Sequence, residues 1–139
     1  MDCSTPAVIQ RSEEERPAVW ILACPPVPER IVWAIQCGLE EEGIPAVLRN
    51  GPEGPAEALA KQAAEGSPLA VGIGVSGIEK LVAVRLRELP GGRPLFELAA
   101  ETCSIEQLRR VGANAARLVK GDPLAHLDDL ASNATAERG

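Results

Sequence analysis

The feature that most constrains the fold is a continuous apolar run, Ala-Val-Trp-Ile-Leu-Ala-Cys, at residues 18–24. It lacks the alternation of a strand with one solvated face, so it indicates a strand covered on both faces, as in a parallel sheet. Further apolar runs lie at 45–49 and 69–75, and helical patterns at 29–42 and 56–65 separate the three runs. This β-α-β-α-β order predicts right-handed crossovers and a parallel sheet within one α/β domain.

The second half of the domain predicts an extension of that sheet and one more helix. Residues 78–86 fit both a helical stripe and one face of a strand. Their β-branched residues and the Ser-Gly turn at 76–77 favour a strand that forms a hairpin with the third one, so the sheet is mixed. Residues 95–98 are expected to form a short edge strand or a docking segment. Ser104 and Gln107 have the spacing of a capping box, which predicts the start of the last helix.

Three glycines indicate where the helices end and where they meet. Gly43 and Gly121 are placed to end the first and last helices in the left-handed conformation. Gly112 lies in the middle of the last helix, where glycine costs about 1 kcal/mol relative to alanine. We therefore expect another backbone to pack close to Gly112.

Charge and hydropathy limit the partners of the chain. The formal net charge of −6 argues against nucleic-acid binding, which needs a basic surface. No apolar run approaches the roughly 20 residues that span a bilayer, and the start lacks the features of a secretory signal, so we expect a cytoplasmic location without membrane contact. Polarity predicts a disordered leader at 1–16, a domain at 17–124, and a short helix with a loose tail at 125–139.

The cysteines do not form a recognisable metal site. Cys3, Cys24, Cys37 and Cys103 show no Cys-x-x-Cys spacing and have no histidine nearby, which argues against structural zinc. In a reducing compartment, scattered thiols are most often small apolar fillers, and we predict that role here.

An acidic triplet, Glu40, Glu41 and Glu42, closes the first helix. That end of a helix carries about half a negative charge, so three carboxylates are electrostatically unfavourable there. Successive side chains differ by about 100°, which places Glu42 near the edge of the buried stripe and points Glu41 away from it. The negative charge could serve a metal, a basic partner surface, or only contact water.

Two further patterns have both a functional and a structural interpretation. Residues 72–77 match Gly-x-Gly-x-x-Gly, but these glycines lie in a strand that another strand follows, which favours close backbone approach over a dinucleotide site. Arg110, Asn114 and Arg117 are predicted to share a cationic face of the last helix, which could receive a carboxylate or phosphate or could be solvated. No set of residues amounts to an active site, so no catalytic residue is assigned.

Four sequence blocks carry a resemblance to a known family. They are Glu-Glu-Glu-Gly-Ile-Pro at 40–45, Ser-Pro-Leu-Ala-Val-Gly-Ile at 67–73, Leu-Pro at 89–90 with Pro-Leu-Phe at 94–96, and Gly-Ala-Asn-Ala-Ala-Arg-Leu-Val-Lys-Gly at 112–121. In that order and spacing they resemble the small subunit of the reactivating factors for coenzyme B12-dependent diol and glycerol dehydratases. The resemblance covers about residues 17–124.

The resemblance implies a fold and a set of partners. The fold would be a three-layer α/β/α domain with a mixed, mostly parallel sheet of four or five strands, as in the dehydratase medium subunit and in anticodon-binding domains. A large chaperone-like subunit would bind ATP or ADP and hydrolyse ATP, in a complex expected to be a heterotetramer. The small subunit would exchange with the medium subunit of the dehydratase so that damaged cobalamin leaves. A bacterial microcompartment is one setting in which this could occur.

The resemblance also implies a site. The matching position, Glu41, would reach a Mg²⁺ or Ca²⁺ ion at the interface with the large subunit, and this chain alone would bind no cofactor. The acidic triplet and the cationic helix face add Glu40, Glu42, Arg110, Asn114 and Arg117 as interface candidates. Two alternatives stay open: a nucleotide-binding enzyme that uses residues 72–77, and an RNA-binding module on the same fold, which the acidic charge disfavours.

Overall fold

The computed structural model describes residues 17–87 and 96–121. The elements are β1 (Val19–Cys24), α1 (Glu29–Glu41), β2 (Ala46–Asn50), α2 (Ala56–Gly66), β3 (Val71–Ser76), β4 (Leu81–Leu86), β5 (Phe96–Ala99) and α3 (Ile105–Lys120). A 3-10 turn, Ala100–Thr102, joins β5 to α3. The predicted leader at 1–16 and the predicted short helix and tail at 125–139 lie outside the described residues.

The five strands form one sheet in the order β2-β1-β3-β4-β5. β1 is parallel to both β2 and β3, whereas β4 is antiparallel to β3 and to β5. Four strands therefore run in one direction and only β4 opposes them. The predicted α/β fold with a mixed, mostly parallel sheet is confirmed.

The hairpin between β3 and β4 is confirmed, but its turn is longer than predicted. Four residues, 77–80, connect Ser76 to Leu81, and the Lys80 N–H donates to the Ser76 carbonyl at 2.7 Å. Of the two possibilities for residues 95–98, the edge strand is correct, because β5 pairs with β4.

Helices cover both faces of the sheet. α1 and α3 share one face, where Ile21 of β1 joins a core cluster with Ile35 and Leu108. α2 covers the other face, where Leu22 packs with Leu59. Neighbouring residues of β1 thus point to opposite layers, and β3 is buried along its whole length. The three α/β/α layers and the burial of β1 on both faces are as predicted.

The glycines of β3 are packed against the backbone of α2. A Cβ atom on Gly72 would lie 2.2 Å from the Ala64 nitrogen, and one on Gly74 would lie 2.2 Å from the Ala56 oxygen. The strand β4 follows, so no helix begins where a dinucleotide fingerprint would place its pyrophosphate. The structural interpretation of residues 72–77 is confirmed.

Two of the four cysteines have the predicted role of small apolar fillers, whereas Cys37 is half-buried and Cys3 lies outside the described residues. Cys24 and Cys103 are free and buried, and burial raises the pKa of the Cys103 thiol. Within residues 17–87 and 96–121, no three His, Cys, Asp or Glu side chains are grouped so that they could hold a metal.

The capping box of α3 is present, with both of its hydrogen bonds formed. In the same described ranges, no helix is long and apolar enough to cross a membrane.

Candidate functional site

The crossing of α1 and α3 brings the acidic end of α1 to charged residues of α3. A Cβ atom on Gly38 would lie 1.9 Å from the Arg109 carbonyl oxygen, and one on Gly112 would lie 2.0 Å from the Ile35 carbonyl oxygen. The two helices thus touch backbone to backbone, as predicted for Gly112. Because the axes are this close, side chains at the sides of the crossing can form ion pairs.

Glu41 is held by α3 through one of its two carboxylate oxygens. Both the Arg109 Nε, at 3.0 Å, and the Arg109 Nη2 donate to Glu41 Oε2. Glu41 Oε1 accepts no hydrogen bond from the described residues. The Glu41 side chain is 48% exposed. One oxygen is therefore anchored in a side chain that is about half exposed.

Glu42 is more fully engaged than Glu41. Arg117 donates to its Oε2 through Nε at 3.2 Å and Nη2 at 3.1 Å, and Lys120 donates to its Oε1 at 2.9 Å. Lys120 also donates to the Glu42 backbone carbonyl at 3.1 Å. These hydrogen bonds, from Lys120 and then Arg117, lower the pKa of Glu42. Glu42 therefore ties the end of α1 to the last turns of α3.

A pH titration should detect the role of Glu42. Its lowered pKa means that its contribution to stability is fully present above about pH 4.3, the usual pKa of a glutamate, and is lost as the pH falls through the folded-state pKa. We expect Glu42→Gln to lower the melting temperature at pH 7, and the difference from the unsubstituted chain to shrink below about pH 4. Glu40→Gln is the control. A difference that stays constant from pH 7 to pH 3 would contradict this role.

The structure revises how the acidic triplet is oriented. Glu41 leans toward α3 and Arg109 holds it, so it does not point freely away from the core as predicted. The outward position belongs to Glu40, which is exposed and forms no ion pair with the described residues. The sequence interpretation considered a metal, a partner or water, and it missed the third helix of the chain itself.

The predicted cationic face of α3 is interrupted. Asn114 is completely buried, so it is not part of a surface that a partner could contact directly. Asn114 is buried because α3 packs against both α1 and the sheet, which cover all of residues 111–116. Arg117 is engaged by Glu42, and Arg110 lies 3.9 Å from Glu106. These side chains serve the chain's own ion pairs.

The sequence analysis did not identify two residues that the structure brings to notice. Arg109 could not be paired with Glu41 from periodicity, because the two are 68 positions apart. Trp33 is 58% exposed on α1. Helical spacing could have predicted this exposure, because Trp33 lies four residues after Glu29 and seven before Glu40 and therefore shares the polar side of the helix with them.

A separate cavity of about 680 Å³ lies where β1 and β3 end. The proline-rich segment 25–28 and the turn after β3 line it, together with Lys80 and Glu101. These two side chains pair with each other at 3.0 Å, and the Ser76 hydroxyl accepts a hydrogen bond from the Glu79 N–H. Two of the charged side chains that line the cavity thus neutralise each other.

Comparisons with known proteins identify the family of the chain. The family model described as dehydratase medium subunit matches residues 16–125. The chain belongs to this family. It is 45% identical over 101 residues to the diol dehydratase-reactivating factor small subunit of Klebsiella michiganensis, a match that covers 73% of this chain and 76% of the relative.

Two solved structures of reactivating factors resemble this member of the family. The structure titled glycerol dehydratase reactivase has a TM-score of 0.74 at 38% identity, covering 79% of this chain and 97% of that chain. A diol dehydratase-reactivating factor complexed with ADP and Mg²⁺ has a TM-score of 0.72 at 37% identity, covering 80% and 99%. The predicted resemblance to reactivating-factor small subunits is confirmed.

Proposed function

We propose that this chain is the small subunit of an ATP-dependent reactivating factor for a diol or glycerol dehydratase. It binds a large ATPase subunit, which carries ATP or ADP, and it contributes no catalytic residue of its own. It also exchanges with the medium subunit of the dehydratase, which opens that enzyme so that damaged cobalamin leaves. The observation that supports the exchange is that this chain matches both the dehydratase medium-subunit family model and a reactivating-factor small subunit, because proteins of one fold can occupy the same place.

At the contact with the large subunit, Glu41 donates Oε1 to a Mg²⁺ or Ca²⁺ ion. Hard cations of this kind are bound by carboxylate oxygens, and this oxygen accepts no hydrogen bond from the described residues. Glu41 is a single ligand, so the remaining ligands come from the large subunit, its nucleotide or water. The presence of ADP and Mg²⁺ in one related solved structure is consistent with such an ion.

Arg109 assists rather than prevents this contact. An exposed ion pair stabilises a protein by only about 0–1 kcal/mol, so the pairing of Arg109 with Glu41 does not hold the carboxylate away from a cation. Because the guanidinium occupies only Oε2, it fixes the direction of Oε1. Glu106 lies 3.8 Å from Arg109 and neutralises part of its charge.

Substitution at two neighbouring glutamates tests whether Glu41 is a ligand of the ion. We expect Glu41→Gln to weaken binding to the large subunit about tenfold or more, which is about 1.4 kcal/mol, and to abolish its dependence on Mg²⁺. Glu40→Gln is the matched control, with the same loss of charge one residue away, and its binding should keep the Mg²⁺ dependence of the unsubstituted chain. The measurement is titration calorimetry over a range of Mg²⁺ concentrations and with a chelator. Equal affinities of both variants at every Mg²⁺ concentration would show that Glu41 is not a ligand.

A reactivation assay tests the function itself. A dehydratase inactivated by turnover should regain activity only when ATP, fresh coenzyme, the large subunit and this chain are all present. Native mass spectrometry should then show the chain bound to the large dehydratase subunits in place of the medium subunit. Recovery without this chain would contradict the proposed function.

A further inference from the structure

An apolar groove of about 380 Å³ runs between α1 and the edge strand β2. Trp33 and Leu48 stand on its two sides, and they are 58% and 46% exposed. Other residues that line it include Pro25, Val27, Val32 and Gln36. Isolated exposed apolar side chains are normal, but two large ones that share a groove are typical of an interaction site.

The core of the domain does not need either side chain. On α1, Ile31 and Ile35 are buried in the main cluster while Trp33 lies on the opposite side of the helix. A tryptophan exposed in this way loses the free energy that its burial would contribute, about 25 cal/mol per Å² of apolar surface. A partner that covers it would recover that free energy.

The strand next to the groove has a free edge. In the sheet of the described residues, β2 pairs only with β1. The Gly51 N–H donates to the Ala23 carbonyl, and the Pro45 carbonyl accepts from Val19, so odd-numbered residues face β1. By alternation, the N–H and C=O groups of Ala46, Leu48 and Asn50 face outward. An unpaired strand edge is a template for an added strand.

Charge indicates what kind of segment fits. Glu29 and Glu40 lie on the Trp33 side of α1, and neither forms an ion pair with the described residues. A second copy of this chain would bring the same carboxylates to the contact and has the same net charge of −6. Like charges across an interface are unfavourable, whereas lysine or arginine beside an apolar residue would be complementary.

We propose that this groove, with the edge of β2, binds an extended segment of the large subunit that carries an apolar residue flanked by basic ones. This inference rests on the proposed function, because the partner is the one that Glu41 reaches. Trp33 and Glu41 are eight residues apart on α1, about 12 Å along the axis. A standard interface buries about 800 Å² on each partner, so one partner bound at Glu41 can extend to the groove.

Lysine substitutions test the groove against a matched control. With Mg²⁺ in excess, Trp33→Lys and Leu48→Lys should each weaken binding to the purified large subunit tenfold or more, mainly by faster dissociation. Ile78→Lys is the control, because Ile78 is also 58% exposed but lies in the turn between β3 and β4. Both groove variants should keep the Mg²⁺ dependence that Glu41→Gln loses.

Amide hydrogen exchange tests strand addition directly. The amides of Ala46, Leu48 and Asn50 should become protected when the large subunit binds. If the unsubstituted chain binds with Mg²⁺ dependence while Trp33→Lys equals Ile78→Lys, the groove proposal is wrong and the proposed function stands. If the unsubstituted chain does not bind the large subunit at all, the proposed function fails. Protection that appears without the large subunit and rises with concentration would assign the groove to a second copy and overturn the proposal.

Discussion

Gly112→Ala is expected to lower the free energy of unfolding by about 2 kcal/mol or more. Alanine is the better helix former by about 1 kcal/mol, so propensity alone predicts stabilisation. The added Cβ would lie 2.0 Å from the Ile35 carbonyl oxygen and 3.0 Å from the Leu39 nitrogen. These atoms belong to the backbone of α1, which cannot rotate away as a side chain can, so α1 and α3 must separate. Urea unfolding of the isolated chain measures the change.

A second glycine provides the control for this prediction. A Cβ atom on Gly54 would have no neighbour within 4 Å, and its backbone is not left-handed. Gly54→Ala should therefore be neutral or slightly stabilising, by about 0.4–1 kcal/mol, because it restricts the unfolded chain. The contact between the helices would be unimportant if both variants unfolded at the same urea concentration.

The separation of α1 and α3 also connects stability to the proposed site. Gly38 contacts the backbone of Arg109, and the side chain of Arg109 holds Glu41. Moving the helices apart would lengthen the ion pair and release the carboxylate. We therefore expect variants of the crossing that remain folded to bind the large subunit less tightly, although Gly112 is buried between the two helices.

Most of the sheet can be predicted from the sequence because its signals are local. The apolar run of β1 has no polar positions, which is typical of a strand covered on both faces. The capping box at Ser104 starts α3 through contacts within four residues. The sequence of β4 fits both a helix and a strand, and its β-branched residues correctly favoured the strand.

The site is harder to predict because it depends on contacts between distant segments. Periodicity places Glu41 relative to its own helix, but its ion-pair partner Arg109 comes from α3. The same limit explains the error at Asn114: a spacing of four and three residues describes a face, yet α3 is buried over a wide arc because α1 and the sheet both cover it. Three cations of α3 offset the unfavourable charges of Glu41 and Glu42.

The second large effect is expected at Gly72, where the change also tests the nucleotide alternative. Gly72→Ala would place a Cβ atom 2.2 Å from the Ala64 nitrogen and 2.6 Å from the Ala60 oxygen. α2 must then move off the sheet, and we expect a loss of about 2–3 kcal/mol in urea unfolding. A phosphate-binding glycine would instead leave stability unchanged and would be needed for nucleotide affinity.

Adding ADP to the isolated chain separates these two roles of Gly72. A ligand that binds only the folded state stabilises it by about 2.7 kcal/mol at one hundred times its dissociation constant. Because β3 is followed by a turn and β4 rather than a helix, we expect millimolar ADP to leave the melting temperature of the unsubstituted chain unchanged. A rise of several degrees that Gly72→Ala abolishes would establish a nucleotide site in this chain. Destabilisation by Gly72→Ala without any response to ADP means that the glycine serves the contact between β3 and α2.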